Sequence, residues 1–526
     1  MKKEKKLIAV SLPYANGEAH IGHIAGGYLP ADIYYRFTKL MGEDSIFVSG
    51  TDMHGSGVLL SAEKINMDPL EFALKNHENF KKVFEELDIK FDIYSNTHTD
   101  IHKQTVNEIF QDLYKSGYIK IREEEQPFCE HDNKFIPDRF VEGICPVCGE
   151  INVKVGESCD KCDTLILFET IKSPKCKLCR NRPILKKTEN FFLELEKFQE
   201  QLEQYILSKK NFRKNVKDFS LEYIKEGLLP RSITRDMSYG LSIPIEGFEN
   251  KIIYVWFEAL IGYISATREI KKDWKEYWGN NSKSIFFMGK DNIVFHSIIL
   301  PTILLASSEK FNLPYEIAAN EYLLLEGQKM SKSKNHLLLA KDALEKYGKD
   351  NLRFYIAISL PENKDFNFKE KELVTIVNTT LSSNIGNYVN RTLTFAYKNF
   401  NGLIEKFESI EDTNYINSTF EGIITEFSNF KIKSALSQII AFSDHANKRF
   451  DTLKIWENKD KKNMYILAQY VYALGILLSP IIPESSFKIL DILNIDAENK
   501  TFKYSPYFGK IKKPYIIFPK IEIKYD

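Results

Sequence analysis

The sequence predicts an α/β protein: a parallel sheet, split by a metal-binding insertion and followed by a helical bundle. Three observations carry that prediction. Short, nearly continuous apolar runs alternate with helical stretches on both sides of a loop-like region. All seven cysteines fall between Cys129 and Cys179. Beyond residue 370 apolar side chains recur at helical spacing. With 526 residues, 43% of them hydrophobic and 13% aromatic, the chain can bury several cores, which excludes wholesale disorder.

Taken in order, "LIAVSL" (7–12) and "SIFVS" (45–49) read as buried strands. Between them Ile24, Tyr28, Ile33, Phe37 and Leu40 fall at helical spacing. Strand, helix, strand over this length is the βαβ unit of a parallel sheet. Residues 68–88 and 98–116 read as helices and lead into the cysteine-rich stretch. After residue 230 the pattern resumes with "IIYVWF", a helix over 258–267, "SIFFMG" and a helix from near Asn292. In the last part Leu381, Ile385, Tyr388 and Phe395 mark helix faces of a bundle, and "YIIF" near the end reads as a short strand.

Charge and cysteine usage narrow the class. The 72 basic side chains balance 72 acidic ones, so any surface for nucleic acid must be local. No apolar run approaches the roughly 20 residues of a membrane-spanning helix. "LIAVSL" behind "MKKEKK" is too short for a signal peptide. A cytoplasmic protein with no membrane partner is expected. Cysteines gathered in C-x-x-C pairs suggest metal rather than disulfide staples.

Two segments carry phosphate chemistry. In "YANGEAHIGH" (14–23), His20 and His23 share a face of a helix that starts just after a strand. Unpaired N–H groups and the positive end of the helix dipole gather there and favour anions. Gly22, lacking a side chain, lets a flat base or ribose approach. The second segment, "GQKMSKSKN" (327–335), is a basic, hydroxyl-bearing loop opened by glycine.

In this order the two segments resemble the signatures of the class I aminoacyl-tRNA synthetases. The resemblance implies a Rossmann-like catalytic domain that binds ATP with Mg²⁺. Catalysis by His20, His23, Lys329 and Lys332 would rest on positioning and charge neutralisation. Lys332 would act on the departing pyrophosphate most directly, with Lys329 assisting. Met330, Ser331 and Ser333 complete the lysine signature. "GKDN" supplies Gly289 and Asp291 for the nucleotide, Asp291 accepting from the ribose hydroxyls.

Further segments are similar to the methionine-specific branch of that family. They are "SLPYANGEAHIGH", "SGTDMHGSG", "YVWFEALIGY", "NIVFHS" and "SITRD". By this resemblance Leu12, Tyr14, Arg235, Trp256, Ala259, Tyr263 and His296 bind methionine, and Asp52 takes its ammonium. Thioether sulfur is attracted to aromatic edges by about 0.3–1.5 kcal/mol per contact, which suits such a slot. Met53 stands where relatives often carry Glu, and Leu260 where many carry Pro. Relatives specific for branched aliphatic amino acids need an editing domain, since a methylene is worth only about 1–3 kcal/mol. The insertion between Phe128 and Pro230 is too short for one.

"CPVCGEINVKVGESCDKC" sets Cys145, Cys148, Cys159 and Cys162 in the pattern of a closed structural zinc site. Cys129, Cys176 and Cys179 suggest a second site, completed by Asp132 or by neighbouring His131. Relatives with two zinc knuckles have a cysteine where Asp132 stands. In the helical end Asn387, Arg391 and Trp456 resemble the family's anticodon-reading elements, with Ile455 where Pro is usual. Asn and Arg hydrogen-bond splayed base edges, and Trp stacks on one.

The resemblance thus implies a methionine–tRNA ligase with tRNA(Met), ATP and L-methionine as partners. Two alternatives stay open: a class I synthetase for another amino acid, and an inactive tRNA-binding paralogue. The expected domains are 1–117 and 231–325 (catalytic halves), 118–230 (zinc-bearing insertion), 326–369 (lysine loop and stem-contact segment) and 370–526 (anticodon bundle with C-terminal peptide). The sequence ends without the appended tRNA-binding module of some relatives, so a monomer is expected.

Overall fold

The apolar runs become a five-stranded parallel sheet in the structure, a computed structural model that describes residues 3–137, 140–156, 159, 161–162, 164–330, 336–496 and 500–522. Strands β1 (Lys5–Val10), β2 (Asp44–Thr51) and β3 (Ile93–Asn96) precede the insertion. Within the stretch expected as the insertion lie β4 (Ile119–Cys129) and β5 (Ile184–Leu193). The chain then returns to the sheet as β6 (Ser282–Gly289) and β7 (Glu316–Asn320). The order is β7-β6-β1-β2-β3, with Ile8 opposite both Phe47 and Ile285.

Both faces of the sheet are covered, which is why its strands read as continuous apolar runs. The two-residue period sends Ile8, Val10, Phe47 and Ile285 into one core, and Leu7, Ala9, Val48 and Phe286 into another. Strand order reverses at β1 and β6, so a crevice opens beyond their carboxyl ends. The first signature follows β1, and Gly289 ends β6. The fold alone therefore brings two distant sequence segments to one crevice.

The insertion is built on a long ribbon in which β4 and β5 pair antiparallel, from Ile119 opposite Leu193 to Phe128 opposite Ile184. Beyond it, Val141–Ile144, Ile151–Lys154 and Lys172–Cys176 form a small sheet around the cysteines. The helical end opens with a continuous helical run over residues 370–399. Helices Ile410–Ser428, Ile432–Leu453, Lys461–Leu477 and Pro483–Ile492 follow.

This bundle shares the first core with the sheet. Phe37 stacks on Phe427 at 5.0 Å, and the Tyr34 ring packs tilted against Phe430 at 4.8 Å. Arg353 and Asp32, both fully buried, pair at 2.7 Å, and Arg353 also donates to the carbonyls of Ile481 and Leu87. Leaving one partner of such a pair alone typically costs about 3–5 kcal/mol.

Two expected strands differ. Of "IIYVWF" only Ile252–Ile253 is strand; helix Val255–Ile270 starts early because Tyr254, extended, accepts from the N–H groups of Phe257 and Glu258. "YIIF" at 515–518 is not a strand: the chain there is held to the helical run, with Phe518 docked on Gly386 and the Pro519 carbonyl accepting from the Ser382 hydroxyl, while Tyr515 and Ile516 are exposed. Among the described residues no helix is long and apolar enough to cross a membrane.

Candidate active site

The histidine helix start is stitched to the segment just past the lysine loop. Ile21 N–H donates to the Leu338 carbonyl (3.1 Å) and Ala340 N–H to that of Ala19 (2.9 Å). The rings of His20 and His23 lie 3.8 Å apart, and His20 N–H donates to His23 Nδ1 at 3.2 Å. Gly22 sits at the junction: a Cβ there would lie 2.9 Å from His20 Cε1 and 2.9 Å from Met330 Cε. The head of the lysine loop therefore rests on the histidine signature. Ser331, Lys332 and Ser333 lie outside the described residues.

Lys329 reaches the turn after β6. Its Nζ is 3.8 Å from Asp291 Oδ2 and 3.8 Å from the ring centroid of Tyr322, whose hydroxyl donates to Asp291. Asp291 follows Gly289, which faces open space. Tyr322 went unnoticed in the sequence. Its only signal was an aromatic residue seven positions ahead of Lys329, which the short strand Leu323–Leu325 turns toward the crevice.

A slot opens beside this crevice, lined by Leu12, Tyr14, Asp52, Trp256, Ala259, Tyr263 and His296, with Leu260, Asn292 and Phe295 added by the fold. Trp256, Ala259 and Tyr263 project from one helix, at i, i+3 and i+7. Trp256 Nε1–H donates to the Tyr14 hydroxyl. His296 Nδ1–H donates to the Asn292 carbonyl (2.9 Å), which leaves Nε2 to accept from the Tyr263 hydroxyl (2.8 Å). Burial pushes the His296 pKa down to about 4, so the ring is neutral near pH 7. With both nitrogens satisfied behind the wall, the slot presents mainly apolar edges.

Asp52 closes one end. It is 3% exposed and accepts from the His54 main-chain N–H at 3.3 Å. Burial, and then repulsion from Glu258, raise its pKa well above the usual carboxylate range. Such a carboxylate binds a cation strongly once one arrives. Arg235 is not in the slot. It lines the adjoining groove, with its guanidinium 4.0 Å over the Tyr254 ring, and donates to Ser232 and Thr234.

Both cysteine clusters are assembled. In the first, Cys145–Cys162 and Cys148–Cys159 sulfurs are 3.7 and 3.6 Å apart. Tetrahedral zinc at about 2.3 Å from each sulfur sets neighbouring sulfurs about 3.8 Å apart, so the residues fit that ion. In the second, the donor atoms of Cys129, Asp132, Cys176 and Cys179 all lie within 4.8 Å of one another. Asp132, not His131, completes it: His131 is largely exposed and its Nδ1 bonds to Asp132 Oδ1 at 2.9 Å. Three thiolates and a carboxylate also suit zinc.

In the bundle Asn387 is exposed, and Arg391 is tied to Asp451 (3.1 Å) and the Asn447 side chain (2.9 Å). The Arg391 guanidinium lies 4.0 Å over the Phe450 ring, which stacks on Trp456 at 5.8 Å. Trp456 is 47% exposed and leaves a face open. Phe450, between Arg391 and Trp456, was not legible in the sequence as part of this patch.

The fold and the crevice are those of a class I synthetase, and residues 6–393 match the family of class I tRNA synthetases (M). The chain is 37% identical to the methionine–tRNA ligase of Pyrococcus furiosus, over 98% of this chain and 75% of that one. It is 38% identical to that of Saccharolobus solfataricus, over 99% and 96% of the two chains. It belongs to the methionine–tRNA ligase family. The crystal structure of Mycobacterium tuberculosis methionyl-tRNA synthetase bound by methionyl-adenylate shares the fold, with a TM-score of 0.82 over 98% of this chain and 100% of that one at 22% identity.

Proposed function

We propose that the chain activates methionine with ATP and transfers it to the 3′-terminal adenosine of tRNA(Met). The observation that carries this reading is the contact of Met330 with the Gly22 junction, beside a slot closed by Asp52. A methionine carboxylate oxygen attacks the α-phosphorus of ATP in line, and the bond to the pyrophosphate oxygen breaks. The terminal ribose hydroxyl of the tRNA then attacks the methionyl carbonyl and AMP leaves.

No protein nucleophile is needed, so the side chains bind, orient and neutralise. His20, His23 and the Gly22 backbone receive the phosphates at the helix start, and Lys329 and Lys332 close on them from the loop. Asp291 accepts from the ribose. Lys329 and Asp291 lie 3.8 Å apart, so the loop lysine and the ribose acceptor face the same nucleotide. Mg²⁺ accompanies the phosphates of ATP and offsets their charge.

Leu12, Tyr14, Trp256, Ala259, Tyr263 and His296 enclose the thioether, and Asp52 pairs with the ammonium. Arg235 acts from the adjoining groove. The two cysteine clusters hold zinc as structural cross-links in the insertion, assigned to residues 118–230. Asn387, Arg391 and Trp456 read the anticodon from the bundle, assigned to 370–526. One chain carries every element of this scheme, and we read the protein as a monomer at work in the cytoplasm.

Methionine-dependent ATP–pyrophosphate exchange tests the reading. Exchange with methionine and not with other amino acids, reduced more than 100-fold by Lys332→Ala, is the expected result. Absence of methionine-dependent exchange from a folded, zinc-loaded chain overturns it.

A further inference from the structure

A second carboxylate lies behind the methionine slot. Glu258 is fully buried on the helix that carries Trp256 and Ala259, yet it does not line the slot. Its Oε1 accepts from His54 Nδ1–H at 2.6 Å. Its Oε2 is buried and, among the described residues, has no hydrogen-bond partner. A buried carboxylate left half satisfied is costly, typically by about 1–3 kcal/mol or more for a charged group, and calls for an explanation.

His54 connects Glu258 to Asp52. Its main-chain N–H donates to Asp52 Oδ1, while its ring is held at both nitrogens, by Glu258 and by His98 Nδ1 at 3.0 Å. The Tyr239 ring packs 5.4 Å from the imidazole. His102, beyond His98, is turned to Ser265, and Lys103 lies close enough to His98 to act on it electrostatically.

We propose that Glu258, acting through His54, is a positioning residue for the ammonium group of the substrate. It fixes the 52–54 turn so that Asp52 faces the slot, and it adds a second negative charge to that end. The unsatisfied Oε2 is the cost of keeping that charge uncompensated until the cation arrives. Burial raises the pKa of both carboxylates and Glu258 repels Asp52, an unfavourable arrangement that an incoming positive charge relieves. This rests on Asp52 as the ammonium acceptor.

The test compares ligands that keep or lack the amino group, by competition against labelled L-methionine in equilibrium dialysis with the full, zinc-loaded chain. The probes are methioninol, which keeps the ammonium, and 4-(methylthio)butanoate, which lacks it. Glu258→Gln keeps the shape and the acceptor for His54 but removes the charge. It is expected to weaken L-methionine and methioninol about tenfold and to shift 4-(methylthio)butanoate less than twofold.

Equal weakening of all three ligands would show a merely structural role, and no change in any would remove the charge; either result overturns the proposal. Should Glu258→Gln not fold, His54→Asn severs the link while both carboxylates remain, and the same selective loss is expected from it. Asp52→Asn separates the two readings. If it abolishes the preference for ammonium-bearing ligands and Glu258→Gln does not, only the present inference fails; if Asp52→Asn leaves that preference intact, the reading of Asp52 fails first.

Discussion

Replacing Gly22 by alanine probes the meeting of the two signatures with a single methyl group. The new Cβ would stand 2.9 Å from His20 Cε1, 2.9 Å from His20 Nδ1 and 2.9 Å from Met330 Cε. Carbon atoms prefer about 3.5–4.0 Å, so each contact is too short by about 0.6–1.1 Å. The His20 ring is packed on His23 at 3.8 Å and yields little. The thioether end of Met330 is flexible, so the strain resolves by pushing the head of the lysine loop outward by about 1 Å. A misplacement of that size around a reacting centre costs roughly 100-fold, or about 2.7 kcal/mol of transition-state stabilisation.

The fold should not suffer. Gly22 has no left-handed backbone angle, and alanine in a helical turn gains about 0.5–1 kcal/mol over glycine. Gly22→Ala should therefore lower kcat/KM for ATP in methionine-dependent pyrophosphate exchange by about two orders of magnitude. The thermal midpoint should hold or rise slightly, and the KM for methionine should stay within twofold. Exchange within threefold of the parent chain would refute the argument that these two segments meet over the nucleotide.

Three further outcomes are expected. Trp456→Ala should weaken tRNA charging at least tenfold and leave pyrophosphate exchange nearly intact; equal loss of both would contradict an anticodon role. Elemental analysis should find two zinc ions per chain, falling to one in Cys148→Ser, while a single ion in the parent chain would remove the cluster completed by Asp132. Burial lowers the His102 pKa to about 3, so below pH 6.5 the unfolded chain takes up a proton that the folded chain refuses. Stability tied to this ring is thus complete above pH 6.5 and falls as pH drops toward 3, by about 2 kcal/mol at pH 5. Urea titrations of the parent chain and His102→Gln at pH 7.5 and pH 5 should show their stability difference shrinking by that amount; a constant difference would count against it.

Much of the molecule was legible because its information is local. β1, β2 and β6 announce themselves as continuous apolar runs, since a parallel sheet buried on both faces requires side chains of one kind. The cysteine pairs declare a tetrahedral site by spacing, and the helical run from 370 to 399 shows its period directly. Short apolar stretches were read less well. In "IIYVWF" the onset of the helix depends on an extended Tyr254, and "YIIF" is held against the helical run at Gly386 and Ser382, so neither conformation is set by its own residues.

What the sequence by itself determined is the set of elements and the chemistry available: imidazoles at a helix start, a lysine loop, an aromatic set and two groups of candidate metal ligands. Only the tertiary structure decided who faces whom. It took Arg235 out of the slot, chose Asp132 over His131, and brought Tyr322 to Asp291 and Phe450 between Arg391 and Trp456. It also set Glu258 and His54 behind Asp52, 204 positions apart in sequence and 2.6 Å apart in space. The reason is physical. Period and spacing are properties of a few consecutive residues, whereas the orientation of a side chain in a crevice depends on packing among segments that no local pattern relates.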